Sequence, residues 1–394
     1  MKTSDFTYHL PAELIAQQPA PDRTGARMMI VCRNTGSLER RRVADLPEFL
    51  RPGDVLVIND TRVIPARLFG RKEKTGGRVE VLLIEELTDD LIRPDKLSPC
   101  RNNSSMKICC SGRSQERHAV LQTTATPAGP VMVSLWEALV KASRSPETGS
   151  FLELASGQIQ AEVLARIGNG RALLRLIHDR PLMKILDQEG VPPLPPYIKR
   201  PHAVAHRDQI AVDRDRYQTV YARVPGAIAA PTAGLHFTPD LLECLSRQGV
   251  GQASVTLHVG PGTFKPVSSD IVEDHRMEPE RYSVSPETAR CITEAQQRQS
   301  RIVAVGSTVV RTLETVAAEH GAVTPAEGRS RLFIYPPYSF RVVQAMLTNF
   351  HLPASTLLMM VSAFAGRDLI RHAYETAIRE RYRFYSYGDC MLIL

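Results

Sequence analysis

Apolar residues along this chain gather in short runs separated by turn signals, and the period of those runs changes from segment to segment. After the Pro52-Gly53 turn, the continuous run 55–58 predicts a buried strand. Asn59, Asp60, Thr61 and Arg62 stand at its carboxyl end, where open α/β sheets hold their ligands. From Arg67 the pattern shortens. Segments 67–71 and 79–84 around Lys74-Thr75-Gly76-Gly77 predict a hairpin, and 161–167 with 172–177 around Gly168-Asn169-Gly170 predict another. Two such hairpins predict a small barrel or sandwich. Between them, roughly 89–130 is rich in Ser, Arg, Thr and Asn with no sustained period, which reads as a loop or mobile insertion.

Four prolines at 192, 193, 195 and 196 stiffen the segment that follows, which serves either as a rigid connector or as a ligand-facing wall. Strands and helices then alternate: strands at 254–259 and 301–305, a helix at 309–319 closed by Gly321, and a second helix at 356–364. The predicted fold is therefore mixed α and β. An α/β main domain, discontinuous over 1–66 and 190–394, carries an inserted small β-barrel domain at 67–189.

At 394 residues the chain has room for two domains and a sizeable core, and 43% apolar residues suit globular folding. The formal net charge of +7 favours an anionic partner such as nucleic acid. The first ten residues mix Lys2, Asp5 and His9 with apolar side chains, unlike a signal peptide. The apolar run 357–365 is far below the ~20 residues of a bilayer span. Seven cysteines without paired zinc-type spacing read as reduced thiols of a cytoplasmic protein, and no metal site is expected, adjacent Cys109 and Cys110 included.

Four segments carry residue types suited to chemistry. Ala233, Gly234 and His236 follow Thr232, just before a helix that Thr238 can cap with Pro239 at its first position; small residues beside an imidazole suit a tight pocket for a planar group, or the histidine is a satisfied core residue. His258 leads into Gly260-Pro261-Gly262-Thr263-Phe264, where glycines let a backbone approach a ligand closely, although a plain strand-to-loop turn explains them too. Gly306-Ser307-Thr308 opens a helix bearing Arg311 and Glu314, a layout for a carboxylate or phosphate unless those two side chains pair with each other. Near the end, Asn349 and His351 precede an aromatic stretch at 382–389 that either stacks on bases around Arg383 or packs as a terminal strand.

Five strings stand here in a fixed order: NDTRVIPAR at 59–67, APTAGLHFT at 230–238, LHVGPGTF at 257–264, TNFHLPASTLL at 348–358 and YRFYSYGD at 382–389. With SDF at 4–6, LIAQ at 14–17, PLPPYI at 193–198 and YQTVYA at 217–222, they resemble the S-adenosylmethionine:tRNA ribosyltransferase-isomerase family of queuosine biosynthesis. The resemblance covers nearly the whole chain except roughly 89–130. It departs at Pro261, at Pro337 and at Ser307-Thr308-Val309-Val310, where the family usually has Thr-Thr-Ser-Val.

The resemblance implies transfer and isomerisation of the ribosyl part of S-adenosylmethionine onto 7-aminomethyl-7-deazaguanine at the tRNA wobble position. Epoxyqueuosine in tRNA is the product, with adenine and methionine released. It implies tRNAs with a GUN anticodon (Asp, Asn, His, Tyr) as partners, S-adenosylmethionine as co-substrate, and no prosthetic group. Carried onto this sequence, His236 and His258 are the acid/base candidates. Thr232, Gly234, Gly260, Gly262, Thr263, Phe264, Thr308 and Arg311 are candidates for the donor pocket, and Asp60, Arg62, Arg67, Tyr217, Asn349 and His351 for the substrate. A monomer is expected, since no coiled-coil heptads are visible. The rivals are an RNA methyltransferase, whose acidic-Gly-x-Gly-x-Gly loop is missing early in the chain, and a non-catalytic tRNA-binding module built on the barrel.

Overall fold

A computed structural model describes residues 1–87, 131–200, 207–264 and 267–394, with only the backbone described for Arg207 and Phe264. The loop reading of 89–130, and Cys100, Cys109 and Cys110 with it, lies outside the described residues. The chain divides into two compact units, Met1–Val63 with Leu194–Leu394, and Ile64–Pro193.

The first unit opens with β1 (Arg27–Val31), β2 (Leu38–Arg42), β3 (Val55–Asn59) and β4 (Thr61–Val63). Burial of all five β3 residues accounts for the unbroken apolar run seen in sequence.

The second unit holds β5 (Arg67–Lys72), β6 (Arg78–Glu86), β7 (Met132–Ala142), β8 (Phe151–Leu154), β9 (Ile159–Gly168), β10 (Arg171–His178) and helix α1 (Leu182–Glu189). Its strands close into a barrel in the order β10-β7-β6-β5-β8-β9. Alternate residues fill the interior, as Val79, Val81 and Leu83 do along β6 and Ile159, Ala161 and Val163 along β9. Both predicted hairpins are present, β5 with β6 and β9 with β10.

The first unit resumes with α2 (Arg207–Arg216), β11 (Val224–Ala227), α3 (Pro239–Arg247), β12 (Gly251–Leu257), β13 (Glu280–Val284), α4 (Pro286–Gln297), β14 (Ile302–Val305), α5 (Ser307–His320), β15 (Ala326–Ser330), β16 (Ala345–Asn349), α6 (Thr356–Ala365), α7 (Arg367–Arg379) and β17 (Cys390–Ile393). Nine strands form one sheet, β15-β13-β12-β3-β14-β16-β17-β1-β2. The central four, β12, β3, β14 and β16, are parallel to one another, and the outer neighbours β13 and β17 pair with them antiparallel.

Because side chains alternate across a strand, each central strand feeds two cores. Val55, Val57, Ile302 and Ala304 join α4 to α7 on one face. Leu56, Ile58, Val303 and Val305 join α3 and Leu46 on the other. Thr238 accepts a hydrogen bond from the Leu241 amide at 3.2 Å and caps α3, and Gly321, left-handed at φ 81°, closes α5.

The aromatic stretch 382–389 is neither a strand nor a surface platform. It is an irregular segment leading into β17, and Tyr382, Phe384, Tyr385 and Tyr387 are all buried. Among the described residues no helix is long and apolar enough to cross a membrane, and Cys32, Cys244, Cys291 and Cys390 are free thiols.

Candidate active site

The four parallel strands end side by side, β12 at Leu257, β3 at Asn59, β14 at Val305 and β16 at Asn349. The residues that follow these ends line one cleft: Val259 and Thr263 after β12, Gly306, Ser307 and Thr308 after β14, and 348–352 at the end of β16. Ala230, Pro231, Thr232 and Ala233 form another wall, and Tyr197, Ser355, Leu357, Tyr385 and Ser386 complete it. This is the carboxyl edge of a parallel sheet, where backbone amides of following helices point outward.

Beneath the cleft, Asn59 uses both ends of its carboxamide within the protein. Its Nδ2 donates to the Leu257 carbonyl at 3.0 Å and to Thr308 Oγ1 at 3.1 Å, while its Oδ1 accepts from the amides of Thr61 and Leu257 at 3.1 and 3.0 Å. Gly306 sits at φ 87° before α5, a conformation that a side chain resists, and no side chain caps this helix. The first turn of α5 therefore faces the cleft with open amides. Ser355, which caps α6 by accepting from the Leu358 amide at 3.2 Å, brings a second helix amino end to the same wall.

Among the described residues, those that line the cleft include no Lys, Arg, Asp or Glu. Burial pushes His351 down to about 3, so its ring is neutral, and its Nε2 lies 2.9 Å from Thr348 Oγ1. Tyr197 is raised to about 12 by burial, and burial also raises Tyr385; their rings tilt against each other at 4.8 Å, with Tyr197 Oη 2.7 Å from Ser386 Oγ. The electrostatic character of the cleft is thus set by two positive helix ends among small, hydroxyl and aromatic side chains.

A family model described as "Queuosine biosynthesis protein" matches residues 3–393. The chain belongs to that family. Relatives bearing the name S-adenosylmethionine:tRNA ribosyltransferase-isomerase are 47% identical in Pelobacter propionicus, over all of both chains, and 43% identical in Natranaerobius thermophilus, over all of this chain and 99% of that one. A crystal structure of S-adenosylmethionine tRNA ribosyltransferase from Thermotoga maritima is 34% identical, covering 99% of this chain and 100% of that chain, with a TM-score of 0.49. Four of the five long strings noted in sequence contribute residues to the cleft, and the fifth supplies Asn59 beneath it.

Of the residues singled out by sequence, Thr232, Thr263, Thr308, Asn349 and His351 line this cleft. Gly234 does not; a Cβ there would lie 2.1 Å from the Tyr221 hydroxyl, so the glycine serves close packing. Gly260 gives its amide to Glu280 at 2.9 Å, and a Cβ on Gly262 would come 3.2 Å from Glu278; neither lines the cleft. The side chain of Phe264 lies outside the described residues.

Arg311 lies elsewhere. It neither faces the cleft nor pairs with Glu314, but forms a buried ion pair with Glu280 and donates to the Leu332 carbonyl at 3.2 Å. Glu314 instead accepts the amides of Arg341, Val342 and Val343. The helical spacing of three residues allowed a pair, but long-range partners from β13 and the segment before β16 satisfy each group better.

Asp60 is also engaged elsewhere, paired with Arg223 at 2.8 Å and accepting from Thr256 at 2.6 Å. Arg62 is exposed on β4. Arg67 opens β5 in the barrel unit, with Nε 3.4 Å from Glu80. Tyr217 is buried edge-on to Tyr387 at 5.9 Å.

The two histidines differ. His236 is buried behind Asn349, outside the cleft lining, with its Nε2 3.2 Å from Asn349 Nδ2, and burial pushes it down to about 4. His236 is thus one residue removed from the cleft, with Asn349 between its ring and the open space. His258 is partly exposed and adjoins Val259 of the cleft, with Nδ1 2.8 Å from Thr61 Oγ1. Its ring packs on Gly226 of β11, which at φ 143° leaves room that a Cβ, 2.8 Å from the ring, would take. Sequence reasoning did not name Tyr197, Ser355, Tyr385 or Ser386 as site residues, although Tyr385 and Ser386 lie in the stretch 382–389 for which base stacking was one of two readings. The ligand-facing alternative for the proline-rich segment was the available signal for Tyr197.

Proposed function

We propose that this protein is an S-adenosylmethionine:tRNA ribosyltransferase-isomerase, converting 7-aminomethyl-7-deazaguanine at the tRNA wobble position to epoxyqueuosine and releasing adenine and methionine. The observation that carries the reading is the cleft at the carboxyl edge of β12, β3, β14 and β16, built from the strings that the chain shares with its family. Two helix amino ends favour the carboxylate of the methionine part, and the narrow wall of Ala230, Ala233 and Gly306 suits a planar ring.

The sulfonium acidifies the hydrogens on the neighbouring 5′ carbon, so the reaction begins with proton removal there by a positioned base. On this reading His258, oriented by Thr61, is the acid/base group. Thr232, Thr263 and Thr308 hold the donor, while Asn349 and His351 contact substrate within the cleft. Arg62 and Arg67 meet tRNA backbone, and Asp60 acts by fixing Arg223. The same reading has the protein working as a cytoplasmic monomer on tRNAs with a GUN anticodon, without a prosthetic group.

Incubation with S-adenosylmethionine and tRNA carrying the aminomethyl-deazaguanine tests it, with free adenine and the mass of the modified nucleoside as readouts. Both products are expected. S-adenosylhomocysteine would point to a methyltransferase, and tRNA binding that ignores S-adenosylmethionine, with no release, to a binding module. If His258→Ala turned over normally, the role given to His258 would be withdrawn.

A further inference from the structure

Asn349 closes β16, is 2% exposed and lines the cleft. Its Nδ2 stands 3.2 Å from the carbonyl of Tyr385 and 3.4 Å from that of Asp389. Carbonyls only accept, so the amide nitrogen, and not the oxygen, belongs at that end. The same nitrogen meets His236 Nε2 at 3.2 Å, which requires that Nε2 offer a lone pair and that the ring carry its hydrogen on Nδ1. Buried and neutral, His236 keeps that form at physiological pH.

Three acceptors thus surround the two amide hydrogens, and Asn349 Oδ1, itself buried from solvent, has no hydrogen-bond partner among the described residues. The contrast with Asn59 is instructive, because Asn59 satisfies both of its ends with protein groups. A buried acceptor left open is costly unless something outside the protein fills it. The unpaired oxygen belongs to a residue of the cleft wall, and Ala233, Gly306, Phe350 and Tyr385 line the same cleft, a setting of small and aromatic groups suited to a flat ring.

We propose that Asn349 Oδ1, covered in this structure, accepts a hydrogen bond from the exocyclic amine of a purine-type ring once the ligand parts the cleft wall, and that His236 is a positioning residue that holds the carboxamide with its oxygen unpaired. The choice of ring rests on the reaction proposed above. Two participants carry such an amine, the adenine of S-adenosylmethionine and the deazaguanine of the tRNA.

The test is calorimetric binding of two matched pairs to the full chain: adenine against purine, and 7-aminomethyl-7-deazaguanine against its analogue lacking the 2-amino group. Wild type prefers the aminated member of one pair by about tenfold, since a buried acceptor rejects a ligand that leaves it unpaired. Adenine as the preferred base assigns the contact to the donor, and the deazaguanine assigns it to the acceptor base. In Asn349→Ala the preference falls to within about twofold while affinity for the unaminated member is kept. Asn349→Ser, which keeps a hydroxyl donor beside the two carbonyls, behaves alike and covers the case in which the alanine variant does not fold.

His236→Phe lowers the preference without lowering affinity for the unaminated base, a split that a merely structural role would not produce. Adenine release from S-adenosylmethionine and tRNA is measured alongside. Normal release with no amine preference in either pair, or with one that survives both Asn349 substitutions, overturns the assignment and leaves the reaction standing. An amine preference lost on substitution, in a protein without that release, upholds the assignment and removes the reaction.

Discussion

Asn59 at the end of β3 donates its carboxamide to Thr308 Oγ1 at 3.1 Å, tying the central strand to the first turn of α5 across 249 residues of chain. Because the same side chain also satisfies the amides of Thr61 and Leu257, its removal leaves several buried polar groups without partners. Asn59→Ala is expected to lose roughly 2–4 kcal/mol of stability. Urea unfolding should be followed by tyrosine absorbance, because the single tryptophan, Trp136, sits in the barrel strand β7 and reports on the other unit. A loss below about 1 kcal/mol would mean that water takes over these contacts.

The buried pair of Arg311 and Glu280, each side chain 7% exposed, makes a second expectation. Arg311→Met strands a carboxylate that also holds the Gly260 amide, and should cost roughly 3–5 kcal/mol. Adding Glu280→Gln removes the orphaned charge and keeps an acceptor for Gly260, so the double variant should regain most of that loss. Equal stabilities of the single and double variants in chemical denaturation would contradict the buried charge as the cause.

Acid should weaken the fold through two histidines. Burial lowers His351 to about 3 and His236 to about 4, both below the ordinary value of 6.5 that the unfolded chain has. Between those values and 6.5 the unfolded state binds more protons, so stability rises with pH through that window and is fully present above it. Acidification from pH 7 to 4 should therefore cost a few kcal/mol from these two groups. His351→Gln should flatten the dependence; an unchanged slope of stability against pH would show that the ring titrates alike in both states.

At Gly306, φ 87° and ψ 158° describe a conformation open to glycine and strained for other residues, and a Cβ would stand 3.5 Å from that of Ala233. Gly306→Ala should shift the first turn of α5. With a strain of about 1–3 kcal/mol expressed in binding, KM for S-adenosylmethionine should rise between about fivefold and a hundredfold with little change in kcat. Steady-state adenine release checks this, and an unchanged KM would remove the α5 amino end from the donor site.

Much of the fold was readable in advance where local physics is strong. The run 55–58 became β3 because a strand covered on both faces has no polar alternation to keep. The hairpin around Gly168-Asn169-Gly170 was visible because Asn169, at φ 50°, and its two glycines are suited to left-handed backbone. Strand β7 was not visible, since Trp136-Glu137-Ala138-Leu139 mixes strand and helix formers, and pairing with β6 and β10 decides its state. The cleft was partly legible: Thr232 and Thr263 stood in recognisable strings and Thr308 in the Gly306-Ser307-Thr308 helix start, and all three line the cleft, while Arg311 on the same helix does not.

By itself the sequence determined the mixed α and β class, several of the strands and helix ends, and the family, because periodicity, caps and turn residues act within a few positions of chain. Only the tertiary structure decided which polar groups are spent inside the protein and which remain open. Asp60 meets Arg223, Arg311 meets Glu280 and His236 meets Asn349 across 163, 31 and 113 residues respectively. A side chain's remaining hydrogen-bonding capacity depends on partners that only the sheet's crossing connections bring within 3 Å or so, and no local pattern records them.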